Sequence, residues 1–290
     1  MNWDSVKESK PISILLIACI YIMAAAVGLG VYVLLPMPFW AKLLIADIAA
    51  TVFVFIFSLI FKNASVYDPY WSVQPMVIVL FFAFGHMYAP ATVLFVISIV
   101  YWGIRLTGNW AYTFEGLKHQ DWRYTKFEKE TGRFYPFINF TGIHLMPTLI
   151  VYLCTLPAVF VIRQDLRANA GSYIGAAICI GAATLQLVSD IQMHKYRKSG
   201  KHGLIRDGIW KYARHPNYLG EILMWWGVGI QLVSVMPYRW YLLAGALANT
   251  IMFFTVSIPL ADKRQSQKPG YAEYKASTRS LLPIPKKQSN

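Results

Sequence analysis

The chain has 290 residues, 56% of them hydrophobic and only 14% charged, where soluble domains carry about a quarter charged residues; a water-soluble globular class is excluded. The formal net charge of +13 would suggest nucleic acid in a soluble protein, but the Lys and Arg residues lie between apolar blocks, where membrane topology places them, so nucleic acid is not expected as a partner. Cys19, Cys154 and Cys179 sit far apart inside apolar blocks without CxxC spacing; they read as small buried apolar residues, with no metal centre and no disulfide framework.

The first apolar block, residues 11–35, is long for a signal-peptide core and has no small-residue cleavage site ahead of a soluble domain, so it reads as a first span. Further blocks run over 39–61, 74–85, 91–107, 142–162, 171–193, 219–235 and 238–260. About 20 helical residues cross a hydrocarbon core of about 30 Å; the block 74–85 is too short for a full span and reads equally as re-entrant. The expected fold is an all-α, polytopic transmembrane helical bundle of seven or eight spans. Lys and Arg concentrate in 105–135, in 194–215 and after Asp262. With eight spans all three segments fall on one side, which the positive-inside rule makes cytoplasmic together with both termini, and Lys7 and Lys10 agree. No repeat is detectable, and the tail 286–290 is expected to fray.

Several polar residues stand where lipid makes them costly. Asp47, inside the second block, needs a partner or a packing role. Residues 67–74, YDPYWSVQ, combine an acid, two tyrosines, a tryptophan and a glutamine; an interfacial aromatic belt explains the aromatics, whereas Asp68 and Gln74 suit the mouth of a pocket. Arg105 ends its helix, where snorkelling alone would explain it. Arg123 lies in the DWRY run 121–124, able to stack or to bind an anion. Asp190 precedes Arg197 by two helical turns on one face. Residues 189–221 gather Arg197, Lys198, Arg206, Arg214 and His215 just before a helix beginning near Asn217. Arginine forks and helix N-termini both favour phosphate, so a polyphosphate-bearing cofactor suits this place. A positive-inside loop accounts for the cations alone, but not for Asn217, Tyr218 and Glu221 opening a membrane helix. Residues 259–283 read as a short amphipathic cytoplasmic helix returning to the membrane surface.

The combination of DPYW, WGIRLT, DWRY, SD…RK, RHPNYLGE and a terminal GYAEY…LLP resembles bacterial membrane proteins similar to the steroid 5α-reductases, the 3-oxo-5α-steroid 4-dehydrogenase family, across roughly residues 67–283. The resemblance implies N-terminal transmembrane helices over 1–66, a reductase-like domain with cytoplasmic cofactor loops over 67–285, and a tail over 286–290. It implies NADPH as cofactor, touched by Asp190, Arg197, Lys198, Asn217 and Glu221; Arg105, Arg123, Arg206, Arg214, His215 and Tyr218 complete the expected cofactor-binding set, with the phosphates on Arg197, Lys198, Arg206 and Arg214. The substrate expected is an apolar, lipid-like or steroid enone entering from the bilayer, met by Trp71 and Gln74. Hydride reaches its β carbon while Tyr101, or alternatively Tyr70 or Asp68, polarises the carbonyl oxygen where charge develops. The chain departs from that pattern where Gln74 is followed by Pro75 instead of Glu. Multi-pass placement in a bacterial inner membrane follows, with membrane lipids around it and no obligate protein partner. ARHPNYLGE also resembles membrane methyltransferases for isoprenylcysteine and phospholipid, which bind S-adenosylmethionine with a Glu pair; here the comparable place reads Ala261, Asp262, Lys263. A non-catalytic lipid- or sterol-binding protein is the third reading.

Overall fold

A computed structural model describes residues 7–201 and 203–286; residues 287–290 of the tail expected to fray lie outside the described residues. The chain is 80% helical, without strands among the described residues. Seven helices there are long and apolar enough to cross a membrane: α1 (Lys10–Leu34), α2 (Phe39–Phe61), α4 (Pro90–Thr113), α5 (Trp122–Ile162), α6 (Ala170–Lys198), α7 (Pro216–Val235) and α8 (Pro237–Gln265). Between α2 and α4 lies the shorter α3 (Tyr70–Ala83), and α9 (Tyr271–Ser277) follows α8. The chain is thus an integral, multi-pass helical membrane protein. Two compact units form, one from the described residues up to Ile78 with Leu106–Leu156, the other from Val79–Arg105 with the described residues from Pro157 onward.

In the first unit α1 and α2 pack closely; a Cβ on Gly28 would lie 3.3 Å from the Ala46 carbonyl oxygen. The core joins Ile17, Ile20 and Ala24 of α1 to Ala50, Val54 and Phe61 of α2 and to Phe114 and Leu117. Beyond α2, Lys62 adopts φ 53° and reverses the chain. Residues 64–67 are then buried in a 3-10 turn. Asn63 holds it, accepting from Ser65 N at 2.8 Å and donating to the Leu117 carbonyl at 2.7 Å. Gln74, on the second turn of α3, reaches Asp47 at 2.6 Å, which lies about 21 Å back from the end of α2 at 1.5 Å per residue. The start of α3 therefore packs along α2, after an irregular segment that protein buries. The 14 residues of α3 fall short of a full span unaided, as expected of the block 74–85.

The block expected over 142–162 is the last part of α5, which begins 20 residues earlier, after the Asp121 side chain accepts from Arg123 N at 2.8 Å and caps it. Within the charged stretch, Trp122–Thr131 is thus helix and not loop, ended by Gly132 at φ 50°. Within α5, Asn139–Leu145 is a π-helical turn.

In the second unit α6 and α7 run antiparallel, backbone against backbone: a Cβ on Gly175 would stand 2.7 Å from the Gly227 carbonyl, and one on Gly227 2.8 Å from that of Gly175. Small residues permit this approach, the usual basis of helix pairing in lipid. Asn169 caps α6, accepting from Ser172 N at 3.1 Å and donating to the Ser234 carbonyl at 2.6 Å. His86 and Asp165 pair at 2.7 Å at the end where α4 begins; α6 delivers its cations to the opposite end. Cys154 and Cys179 are buried as expected, but Cys19 is exposed on α1, which corrects the expectation for it: it shares a face with Leu15 and Ile22, exposed apolar residues that lipid accommodates.

Candidate functional site

Three helices of the second unit converge on one buried polar network. Glu221, on the second turn of α7, is 4% exposed. Its Oε2 accepts from Trp102 Nε1 of α4 at 2.9 Å and from Gln186 Nε2 of α6 at 2.8 Å, and its Oε1 accepts from Trp225 Nε1 at 3.0 Å. The Gln186 carbonyl oxygen accepts from Arg105 Nη2, and Arg105 Nη1 donates to Asp190 Oδ2 at 2.8 Å. Asp190 thus takes its ion-pair partner from α4, a helix away from the Arg197 that spacing suggests. The Glu221 carboxyl is spoken for by protein donors on both oxygens. Arg105 Nε, however, is buried and meets no acceptor among the described residues.

Tyr101 lies one turn before Arg105 and pairs with Thr184 Oγ1 at 3.1 Å. The Thr184 hydrogen is engaged by the Ile180 carbonyl at 2.7 Å, so Tyr101 is the donor of the pair. Arg105 Nε is thus the unmet donor of the two, one helical turn from a Tyr101 hydroxyl whose hydrogen Thr184 receives.

Outside the membrane end of this network, α7 begins at Pro216, whose fixed φ suits the first helical position. His215 precedes it; its Nε2 pairs with Asp262 Oδ1 at 2.8 Å, and its ring stacks on Tyr218 at 5.1 Å and 7°. Arg214 reaches both oxygens of the same carboxyl at 3.4 Å and the Thr278 carbonyl at 3.1 Å. The chain after α9 closes the arrangement: Arg214 N donates to the Arg279 carbonyl at 3.0 Å, His215 N to that of Ser280 at 2.9 Å, and Arg279 N to that of Tyr212 at 3.1 Å. Burial pushes the His215 imidazole below its ordinary pKa, partly offset by Asp262.

Arg197 and Lys198 are exposed at the end of α6, Arg206 is exposed and donates to the Gly270 carbonyl at 2.8 Å, and Asn217 is half-buried on the first turn of α7. Desolvation, then the nearby Arg264 and Arg197, lower the pKa of Lys268. Those three cations therefore share one locality, the condition for holding an anion with several charges.

The first unit holds the remaining expected residues. Asp68 accepts from Tyr124 OH at 2.6 Å. Tyr70 OH donates to Asp47 Oδ1 at 3.3 Å beside Gln74, while Trp71 packs against the core of α1 and α2. Arg123 pairs with Asp121 at 2.9 Å and lies 5.5 Å from the Tyr124 ring. Sequence reasoning missed Trp102, Gln186, Trp225 and the role of Asp262. Gln186 carried a signal, as an amide one turn before Asp190 inside an apolar block; the indoles carried none.

Residues 54–278 match the model of a family described as protein of unknown function, DUF1295, related to the steroid 5α-reductase-like membrane proteins. An uncharacterized protein of Schizosaccharomyces pombe is 24% identical over 193 residues, 57% of this chain and 56% of the relative. The protein-S-isoprenylcysteine O-methyltransferase of Saccharomyces cerevisiae is 40% identical over 43 residues, 15% of this chain and 17% of that enzyme. The chain thus spans about half the length of the first relative and under a fifth of the second. No solved structure matches the chain.

Proposed function

Because the chain belongs to the DUF1295 family, we propose that it is an NADPH-dependent reductase, seated in a bacterial inner membrane, that saturates the carbon–carbon double bond of an apolar enone such as a 3-oxo-4-ene steroid. The observation that carries this reading is the buried Arg105 Nε without an acceptor, one turn from the Tyr101 hydroxyl. A carbonyl oxygen that gains negative charge in the transition state calls for donors fixed in advance in a place poor in water. Methyl transfer from a sulfonium calls instead for an acceptor or nucleophile, whereas the unmet Arg105 Nε is a donor.

The residues present also fit the cofactor. Its phosphates and 2′-phosphate are polyanionic, and Arg197, Lys198 and Arg206 lie in the same unit as the cationic locality of Arg264 and Lys268 and the N-terminus of α7. When bound there, NADPH supplies the hydride for the β carbon. Arg105 Nε polarises the enone oxygen, and Tyr101 joins it by turning its hydroxyl from Thr184 to the substrate. Gln186 and Asp190 hold the Arg105 guanidinium in plane, and Glu221 acts at one remove by holding Gln186. Thr184 is exposed on α6, so an apolar substrate has a lateral approach to Tyr101 from lipid.

A second reading, an S-adenosylmethionine-dependent methyltransferase acting on lipids or prenylated substrates, draws on the likeness to the yeast methyltransferase. Thermal stabilisation of the purified protein separates the two, since a ligand that binds the folded state alone raises stability by mass action. Stabilisation by NADPH and not by S-adenosylmethionine is the expected result. The reverse overturns the reductase, and no shift with either leaves a lipid- or sterol-binding protein.

A further inference from the structure

The first unit contains a second polar cluster, and a count of its hydrogens shows what it lacks. Thr148 has one hydroxyl hydrogen, taken by the His144 carbonyl at 2.9 Å, so Tyr67 and Thr51 donate to Thr148 Oγ1 at 2.8 and 3.0 Å. The Ser58 hydrogen goes to the Phe55 carbonyl at 2.8 Å; Asn139 Nδ2 therefore donates to Ser58 Oγ at 3.2 Å, leaving Asn139 Oδ1 without a partner among the described residues. Gln74 gives its amide hydrogen to Asp47, leaving Oε1 equally unmet. His144 Nδ1 faces the Asn139 carbonyl at 3.0 Å and so carries the ring hydrogen; Nε2 is a bare lone pair without a partner.

All three unmet atoms are acceptors, on residues that are 5%, 2% and 0% exposed for Gln74, Asn139 and His144. A chain of contacts joins these residues, but Asp47 and Ser58, the partners of Gln74 and Asn139, stand about 16 Å apart along α2, so no single hydroxyl meets all three. Asp47 and Thr51 lie one turn apart on α2, His144 and Thr148 one turn apart on α5, and the two threonines touch. The His144 ring is 4.7 Å from that of Tyr67, which is 5.4 Å from that of Tyr70, whose hydroxyl meets Asp47 beside Gln74. The π-helical turn Asn139–Leu145 brings Asn139 and His144 together, a distortion that recurs at functional sites.

Buried acceptors left unmet cost free energy, so a set of them calls for a donor. A ketone, ether or ester adds only acceptors. The cluster lies among helices that cross a bilayer, where a neutral donor is cheaper than a charged one. We infer that the first unit binds the hydroxyl-bearing end of an apolar molecule, its O–H donated to His144 Nε2, the unmet acceptor beside the Tyr67 ring and the π-helical turn. The inference stands apart from the reductase reading.

The test uses the full chain in lipid nanodiscs with tritiated dodecan-1-ol as probe. Saturable binding is expected, displaced by unlabelled dodecan-1-ol and not by dodecyl methyl ether, which has the same apolar body and no donor. His144→Leu should weaken binding about tenfold, the effect of one lost hydrogen bond. His144→Gln, which keeps an acceptor, should recover most of it, and Gln231→Leu in the second unit should change nothing. Should the leucine variants fail to fold, the ether competition on the unaltered protein decides alone. Equal displacement by the ether, or no saturable binding, overturns the inference and leaves water as the partner of these atoms. NADPH stabilisation measured on the same preparation keeps failure of this site distinct from failure of the reductase.

Discussion

Replacing Tyr101 with phenylalanine removes one hydroxyl whose only described partner is Thr184, so the fold should stand while turnover of an enone falls about 10²–10⁴-fold, the usual contribution of one placed acid. Unchanged turnover would remove Tyr101 from the chemistry. Glu221→Gln behaves differently. It sets an amide NH2 against donors from two indoles and Gln186, and should lower stability by about 3 kcal/mol, read as a melting shift in detergent. A direct cofactor contact predicts instead lost NADPH affinity at an unchanged melting temperature. For His215 the folded pKa is depressed by burial, so its contribution is whole above the unfolded value of about 6.5 and is lost as pH falls through the lower folded value. Melting temperature should drop on acidification below that point, and His215→Gln should flatten the drop. The cost of Asp47, Asp190 and Glu221 in an apolar chain was legible from sequence, because lipid penalises every such residue. Their partners were not: Asp190 meets Arg105 on another helix, and the spacing along one helix says nothing about a neighbour.

Where α6 crosses α7, backbone meets backbone, and the facing carbonyls cannot yield as a side chain would. A Cβ on Gly227 would lie 2.6 Å from Cys179 Sγ and 2.8 Å from the Gly175 carbonyl. Gly227→Ala should therefore destabilise by about 1–3 kcal/mol. It should also weaken NADPH binding, because the same crossing sets Gln186 against Glu221; a wild-type melting curve would show that the helices part easily. The long spans were plain in the sequence, since nothing but about 20 apolar residues crosses a bilayer. The start of α3 was obscure, because it follows residues 64–69, whose burial depends on Asn63 and on loop carbonyls more than fifty positions away. The helical character of residues 122–141 was obscure for another reason: their charges match a cytoplasmic loop as well as they match a helix leaving the membrane surface.

Across the second unit, His86 and Asp165 mark one end, and Arg197, Arg206 and Lys211 the other. In sealed inverted vesicles of a chain whose three cysteines are replaced by alanine, a cysteine at 211 should react with an impermeant thiol reagent and one at 165 should not. Reaction of both would break the topology. The interleaving of the two units, with α4 divided between them, left no trace in composition, because each crossing helix is apolar whichever neighbours it finds. The closure of the cap has a bearing on how the protein is made. Tyr212, Arg214 and His215 take their main-chain partners from Arg279 and Ser280, so all the long spans are synthesised before this stitch can form. A chain halted by a premature stop at position 278 would insert with every long helix in place and yet present an open RHPN segment to the quality-control proteases of the membrane.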